Sequence, residues 1–417
     1  MKTKQYALCA LVKLYRKKLN LSQSELVNGI CVPSYLSKIE NAEVEPNLQI
    51  ITLLLEKMGI RLYDEKSFSE GENKVFADYF EYIFYFKHRD TEVLFEILKK
   101  KSKKYFNSVR LVDYLLIEWH QLIYHRKKQK RQHEIKELLE SIENLMPVEK
   151  RSFFYYLRAF MEDASDIIGD LTRAIEISNN GFYSYQLASV LISHENYFES
   201  INYLDLAERY FMDEGNFRGL VYTKNMRAVV YSLLGNYKMV EKHARGVIKL
   251  LEYTYTEDDF IMGFRYFSFL NIAIVMQLQE RYEEMCEICR LIIHEQEKKY
   301  DRVYTTGPYL MLSDYYFLNS DHEKAREFLT EARKRHDRIL TTDRDYEIAL
   351  CSLYEYRLEN PDYLKSKVYE KQLLELKKIT DKRECFHFKE TIRDKLKEFY
   401  VANKRYKDAY LIAEKQS

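Results

Sequence analysis

Between residues 195 and 406 one short turn recurs: Glu195-Asn-Tyr197, Gly235-Asn-Tyr237, Glu280-Arg-Tyr282, Ser320-Asp-His322, Pro361-Asp-Tyr363 and Lys404-Arg-Tyr406. The spacing is roughly 40–45 residues, and an amphipathic segment follows each turn. Tyr203-Leu-Asp-Leu-Ala-Glu-Arg-Tyr210 and Ala325-Arg-Glu-Phe-Leu-Thr-Glu-Ala332 are examples. A lone helical pair cannot bury its apolar face, so recurring pairs must stack on their neighbours. This feature constrains the fold more than any other. It predicts an array of helix pairs, and the 417-residue length predicts at least one further domain.

Composition agrees with nearly all-α structure, because only 5 Pro and 11 Gly interrupt a chain rich in Leu, Glu and Lys. Aromatic residues reach 15%, with 37 Tyr against one Trp. Tyrosine suits helical packing in which the ring is buried and the hydroxyl stays near water. A net charge of +1 argues against a wholly basic nucleic-acid protein, so any DNA contact must be local. The six cysteines form no disulfide-like framework, no apolar run is expected to reach the length of a membrane span, and the N-terminus carries no signal-peptide pattern. A reducing, cytoplasmic location is expected.

A different pattern occupies residues 21–41. Ser22 and Glu25 make a capping box, so a helix should start at Gln23. Asn28-Gly29 should end it, and Pro33 should open the next helix at its first position. Leu26, Ile30, Leu36 and Ile39 are spaced to bury one face, leaving Ser34, Tyr35, Ser37 and Lys38 outside. Two helices joined by a tight turn, with a polar outer face on the second, can place that helix in a DNA major groove. Around this motif, residues 4–18 read as a helix carrying Leu8, Leu11, Val12 and Tyr15 inward. Pro46 is expected to start another, ended by Gly59, and the polar stretch from Asp64 to Gly71 is the expected boundary. Lys2, Lys4, Lys13, Arg16, Lys17 and Lys18 form either a solvated face or a phosphate-contact surface.

Ser22-Gln23, Leu26, the run Ser37-Lys38-Ile39-Glu40 and Arg16 resemble the phage-repressor (Xre) class of helix-turn-helix domain. The string Gly29-Ile-Cys-Val-Pro-Ser-Tyr-Leu-Ser-Lys-Ile-Glu-Asn41 is similar to that of the peptide-pheromone regulators of Firmicutes, the RRNPP group with its Rgg-like and PlcR-like members. The resemblance covers roughly residues 5–62. One departure is Ala42, where that pattern has glycine, so a strained turn is expected. The resemblance implies that Pro33, Ser34, Tyr35 and Lys38 face DNA and that Gln23 reaches a phosphate or a base edge. It also implies that Arg16 and Asn41 clamp phosphates. Tyr35 could instead pack under the helix, and Lys38 could contact guanine or only phosphate. One such module binds weakly, so a dimer reading two half-sites is expected.

The recurring pairs look like tetratricopeptide repeats, longer than the standard unit and without its Trp and Pro markers. That resemblance implies a right-handed superhelix lined by the first helix of each pair. Aligning the turns then places Tyr222, Asn225, Val229 and Ser232 in the groove, with Phe267, Leu270, Ile274 and Gln277 from the next pair and Asn271 one place off. Leu310, Asp314 and Phe317 follow, and Arg265 could meet a peptide carboxylate. Side-chain amides can hold an extended peptide by its backbone whatever its sequence, as the resembling family does.

No phosphate-cradling glycine loop or nucleophile elbow is present. Cys286 and Cys289 form a C-x-x-C inside Glu283-Glu-Met-Cys-Glu-Ile-Cys-Arg-Leu-Ile-Ile293, a helical segment in which they read as core residues, and no second pair completes a zinc site. His120, His125 and His133 read as surface or packing residues. The basic runs Lys99–Lys104 and Arg126–Arg131 read as solvated faces or a second DNA contact.

The expectation is therefore all-α: a five-helix Xre (lambda-repressor-like) domain over residues 1–66, a connecting helix over 67–100 and repeats over 101–417. The expected protein is a dimeric quorum-sensing transcription regulator, controlled by a short imported signalling peptide, with no enzyme activity, cofactor, metal or membrane partner. The rivals are a ligand-independent regulator whose repeats only dimerise and a repeat scaffold that sequesters a protein.

Overall fold

The computed structural model describes residues 2–63, 65–252, 259–299, 305–339, 344–381 and 386–414. Four helices come first: α1 (Lys2–Lys18), α2 (Gln23–Val27), α3 (Pro33–Glu40) and α4 (Leu48–Lys57). A single 3-10 turn, Glu65–Ser67, follows them. Helical pairs then run to the end of the described chain. They are α5 (Glu70–Phe84) with α6 (His88–Lys99) and, after the short α7 (Ser102–Phe106), α8 (Leu111–Tyr124) with α9 (Gln129–Glu140). Next come α10 (Val148–Ala159) with α11 (Ile167–Ile177), α12 (Gly181–Ser193) with α13 (Tyr197–Asp213), and α14 (Phe217–Leu233) with α15 (Tyr237–Glu252). The last four pairs are α16 (Asp259–Leu278) with α17 (Tyr282–Lys299), α18 (Gly307–Leu318) with α19 (His322–Arg333), α20 (Arg344–Glu359) with α21 (Lys367–Asp381), and α22 (Phe386–Ala402) with α23 (Tyr406–Glu414). Among the described residues the one β feature is an isolated bridge between Tyr63 and Ser108. The contacts divide into two compact units, residues 1–220 and 221–417.

The recurring turns have a common backbone cause. Glu195, Gly235, Glu280, Ser320 and Lys404 all take a positive φ, between 58° and 67°. Each sits just past the first helix of a pair and closes it with two bonds. Glu195 N donates to Ile192 O at 3.0 Å and Asn196 N to Leu191 O at 2.9 Å, and the other turns repeat this arrangement. Such a left-handed cap satisfies carbonyls that a helix end would otherwise strand. Pro361 cannot join the set, because its ring fixes φ negative. There α20 stops at Glu359, and a 3-10 turn, Tyr363–Lys365, intervenes before α21, so the expected direct turn into a helix is corrected.

The same cap ends α5 at Phe86 (φ 56°) and α8 at Arg126 (φ 49°), where the Asn, Asp or Arg before Tyr or His of the recurring turns is absent. Residues 67–100, expected as a connector, therefore hold a helical pair of the repeating form. Its first helix opens on a second capping box, Ser69 with Glu72.

Aromatic rings fill the first unit. Phe84 meets Phe153 and Phe182 edge-on at 6.1 and 5.5 Å, and Phe86 meets Tyr185 and Phe211 at 5.3 and 5.9 Å. These contacts bind α5 to α10, α12 and α13 through ring edges, an arrangement that aromatic quadrupoles favour. Some tyrosines go deeper than expected. Tyr79 is fully buried, its oxygen accepting from Gln121 Nε2 at 2.8 Å and facing His120 Nδ1 at 2.9 Å. In the second unit, Ile272, Met276, Cys286, Cys289 and Leu312 form one core cluster, and Leu310, Leu353, Leu373, Leu396 and Phe399 belong to another. Burial pushes both thiols of the C-x-x-C up, as apolar packing should.

Phe260–Leu278 has the length and mean hydropathy (1.4) of a membrane-crossing helix, which corrects the reading that no run reaches that length. Half of the window is buried inside the unit, and Arg265 interrupts it with an ion pair to Glu295 at 3.0 Å. A core helix of a repeat stack is apolar on several sides for the same reason a membrane helix is.

Candidate nucleic-acid interface and peptide groove

The two-helix motif forms as its residues dictate. Ser22 Oγ accepts from Glu25 N at 3.2 Å while Glu25 Oε2 accepts from Ser22 N at 2.7 Å, starting α2 at Gln23. Gly29 takes φ 81° after the last turn of α2, and Pro33 opens α3. Leu26, Leu36 and Ile39 are buried and Ile30 half-buried. Lys57 Nζ donates to Glu25 O at 2.9 Å and Asn28 O at 2.8 Å, so the end of α4 caps the end of α2. The fourth helix is capped by Asn47, whose side chain accepts from Gln49 N at 2.8 Å. Pro46 thus precedes the cap and does not start the helix.

Pro33, Ser34, Lys38 and Asn41 are exposed on α3 and its end, with Val32 60% exposed beside them. Among the described residues the Lys38 ammonium has no partner, so it is available to an anion. Tyr35 is half-buried, and its hydroxyl oxygen accepts from Asn47 N at 3.4 Å. Both readings of that residue therefore retain a physical basis.

Two expected DNA contacts have other duties. Arg16 Nε and Nη2 donate to the Glu40 carboxylate at 2.5 and 2.7 Å, and Nη1 donates to Leu21 O at 2.8 Å. Gln23 Nε2 donates to the same carboxylate at 2.9 Å. Glu40 is 3% exposed, so this cluster pins α1, α2 and α3 together from inside. Arg16 and Gln23, expected at phosphates or a base edge, are also internal fasteners, because a buried carboxylate needs their donors. The signal was in the sequence, where Arg16 and Glu40 both belong to the family pattern, but spacing alone does not tell an internal pair from a clamp. Of the basic run, Lys17 and Lys18 are exposed. Lys13 is half-buried, and burial followed by repulsion from Lys17 lowers its pKa. The side chains of Lys2 and Lys4 lie outside the described residues.

Ala42 takes φ 53° directly after α3, with Ala42 N donating to Ile39 O at 3.0 Å and Glu43 N to Lys38 O at 2.9 Å. This is the left-handed cap again, with a Cβ where glycine is favoured. A left-handed L-residue costs roughly 1–2 kcal/mol, partly offset by the chain entropy glycine would lose. Ala42→Gly is expected to stabilise the domain by about 0.5–1 kcal/mol. An unchanged or lowered urea midpoint would contradict the strain.

Of the later basic runs, Lys99, Lys101, Lys104 and Arg131 are paired. Lys101 and Lys104 meet Glu72 at 3.1 and 3.2 Å, and Arg131 meets Glu118 at 3.0 Å. His120 is buried against Tyr79, and His133 meets Asp163 at 2.8 Å.

In the second unit, α14 and α16 lie side by side. Tyr222 packs on Phe260 and Phe264, with ring centres 5.7 and 4.8 Å apart, and Ala228 shares a cluster with Val275. Asn225, Asn271 and Gln277 are half-buried, and their side-chain amides make no hydrogen bond to a described residue. Free amides on adjacent helices are what backbone capture of a peptide needs. Two expected groove residues are corrected. Ser232 is 4% exposed, too buried to meet a ligand. Asp314 is also 4% exposed and is enclosed by Arg357 at 2.7 Å and Lys395 at 3.4 Å. Arg265, considered for a peptide carboxylate, is held by Glu295.

Residues 12–64 match the helix-turn-helix family described as HTH_3. A comparison with curated protein sequences finds no match. Among solved structures, the apo form of RapI is 14% identical with a TM-score of 0.62, and 83% of this chain aligns with 98% of it. The apo form of the quorum sensor NprR from B. thuringiensis is 13% identical with a TM-score of 0.57 over the same shares. NprR in complex with its cognate peptide NprX is 13% identical with a TM-score of 0.51, again over 83% and 98%. The chain thus joins a helix-turn-helix domain to a helical array with the fold of these proteins.

Proposed function

We propose that this chain, a helix-turn-helix domain joined to an NprR-like helical array, is a cytoplasmic transcription regulator that binds operator DNA as a dimer and is controlled by a short signalling peptide. The reading is carried by one observation: an exposed, unpaired Lys38 stands on the second helix of a motif matched to a DNA-binding family. In this reading Pro33, Ser34, Tyr35 and Lys38 meet the major groove, and Asn41 meets a phosphate. The peptide lies along α14 and α16, with Asn225, Asn271 and Gln277 holding its backbone beside Tyr222. NprR, which shares the fold, is known in complex with a cognate peptide. Control then equals the difference in peptide affinity between the DNA-competent state and its alternative.

The test is fluorescence anisotropy on DNA from the gene's own upstream region, with and without synthetic peptides from neighbouring short reading frames. Site-specific, salt-dependent binding that one peptide shifts is the expected result. Lys38→Ala should weaken that binding by about 1–3 kcal/mol, roughly five- to hundredfold, with an unchanged melting temperature. Asn225→Ala should weaken the peptide response and leave apo DNA binding intact. Absence of specific DNA binding under every condition would overturn the reading in favour of a protein-capturing scaffold.

A further inference from the structure

A cleft of about 930 Å³ opens between the end of α1, α7, α8 and α9, all within the first unit. Its floor reaches the buried Leu14, Leu111 and Leu115, and half-buried Phe106 and Leu138 make its apolar walls. Lys17, Lys18 and Lys103 line it as exposed side chains. Among the described residues none of the three has a carboxylate in ion-pair range; Lys18 rests 5.7 Å from the Tyr15 ring centre. The remaining cation, Arg131, is already spent on Glu118 and Glu134, at 3.0 and 3.2 Å. Against the three lysines stands one uncompensated acid, Glu137.

The neutral polar groups of the lining are turned inward. Tyr15 Oη donates to Asn107 Oδ1 at 2.6 Å or Phe106 O at 3.1 Å, and Ser141 Oγ donates to Leu138 O at 2.8 Å. Little is therefore left to read a ligand by directed, neutral hydrogen bonds. What the cleft offers is hydrocarbon surface below and excess positive charge above, at a volume within the roughly 300–1,000 Å³ of small-molecule sites. We propose that this cleft binds a medium- or long-chain aliphatic carboxylate, its chain over Leu111, Leu115 and Leu138 and its carboxylate among Lys17, Lys18 and Lys103. Such a ligand would sit against Tyr15, the residue whose hydroxyl ties α1 to the α7 end.

The test is calorimetric titration of the full chain with octanoate, decanoate and dodecanoate below their micelle concentrations, with decanol as the uncharged control. One saturable site is expected, tightening about fourfold per added methylene. Decanol should bind at least tenfold more weakly than decanoate. Combining Lys17→Glu, Lys18→Glu and Lys103→Glu should cost decanoate at least tenfold in affinity, and Leu138→Asp should do the same from the apolar side. These positions are exposed or half-buried, so circular dichroism and the melting temperature should be unchanged. Should the triple variant not fold, Lys103→Glu alone and the decanol comparison still decide. No saturable decanoate binding, equal affinity for decanol, or binding that both sets of substitutions leave unaltered would each overturn the assignment.

Discussion

Replacing Arg16 by alanine is expected to destabilise the N-terminal helices by about 3–5 kcal/mol and to abolish specific DNA binding, without the residue having touched DNA. The reason is the Glu40 carboxylate, 3% exposed and held by Arg16 at 2.5 and 2.7 Å. Removing the guanidinium leaves that charge with only the Gln23 amide, and a buried charge without its counter-ion costs far more than an exposed one. Because Glu40 closes α3 while Arg16 closes α1, α3 loses its orientation when the pair is broken. Arg16→Lys should recover only part of the loss, since an ammonium cannot make both in-plane bonds. Hydrogen exchange separates this effect from a contact role. Arg16→Ala should deprotect α1 to α3, whereas Lys38→Ala should leave their protection intact and lose only DNA affinity. Equal protection in Arg16→Ala and the native chain would return Arg16 to the DNA surface.

That contrast marks where the sequence was readable. The motif's helix starts and stops were legible because each rests on local chemistry: a capping box at Ser22, a positive φ at Gly29 and a ring at Pro33. The strain at Ala42 was legible for the same reason. The destinations of long side chains were not. Arg16 and Gln23 were placed on a functional face by the family resemblance and Asp314 by the repeat alignment, yet each answers to a charge supplied by another helix. Register predicts a direction; only packing decides what is met there. The pair within 67–100 was read as a connector because the marker sought was a residue pattern, Asn, Asp or Arg before Tyr or His. What recurs physically is a left-handed cap, which Phe86 and Arg126 adopt without that pattern. The amides of Asn225 and Gln277 sit where the repeat alignment points, with Asn271 one place off, and among the described residues nothing claims them.

Asp314→Ala carries the other large expected effect, a loss of about 3–5 kcal/mol in the second unit, which for a unit of this size is roughly 6–20 °C in melting temperature. Asp314 lies between Arg357 and Lys395, and Arg357 is itself 4% exposed, its guanidinium 3.7 Å from the Phe317 ring centre and 4.5 Å from that of Tyr354. Without the aspartate, two cations share a buried site that holds only aromatic faces for compensation, and cation–π attraction at about 0.5–2 kcal/mol does not replace a carboxylate. The pH dependence follows from the same geometry. Burial alone would raise the Asp314 carboxyl, but Lys395 and Arg357 together more than offset it and hold it below its ordinary value. A depressed folded-state pKa gives stability that is present above the unfolded value, near 3.9, and is lost as pH falls through the folded one. The native chain should therefore lose second-unit stability below about pH 4, and Asp314→Asn should flatten that part of the curve while lowering stability at neutral pH. Peptide binding by the folded fraction of Asp314→Ala should keep its affinity, because the carboxylate faces its own cations. A variant with native stability and weakened peptide affinity would reverse the assignment and put Asp314 back in the groove.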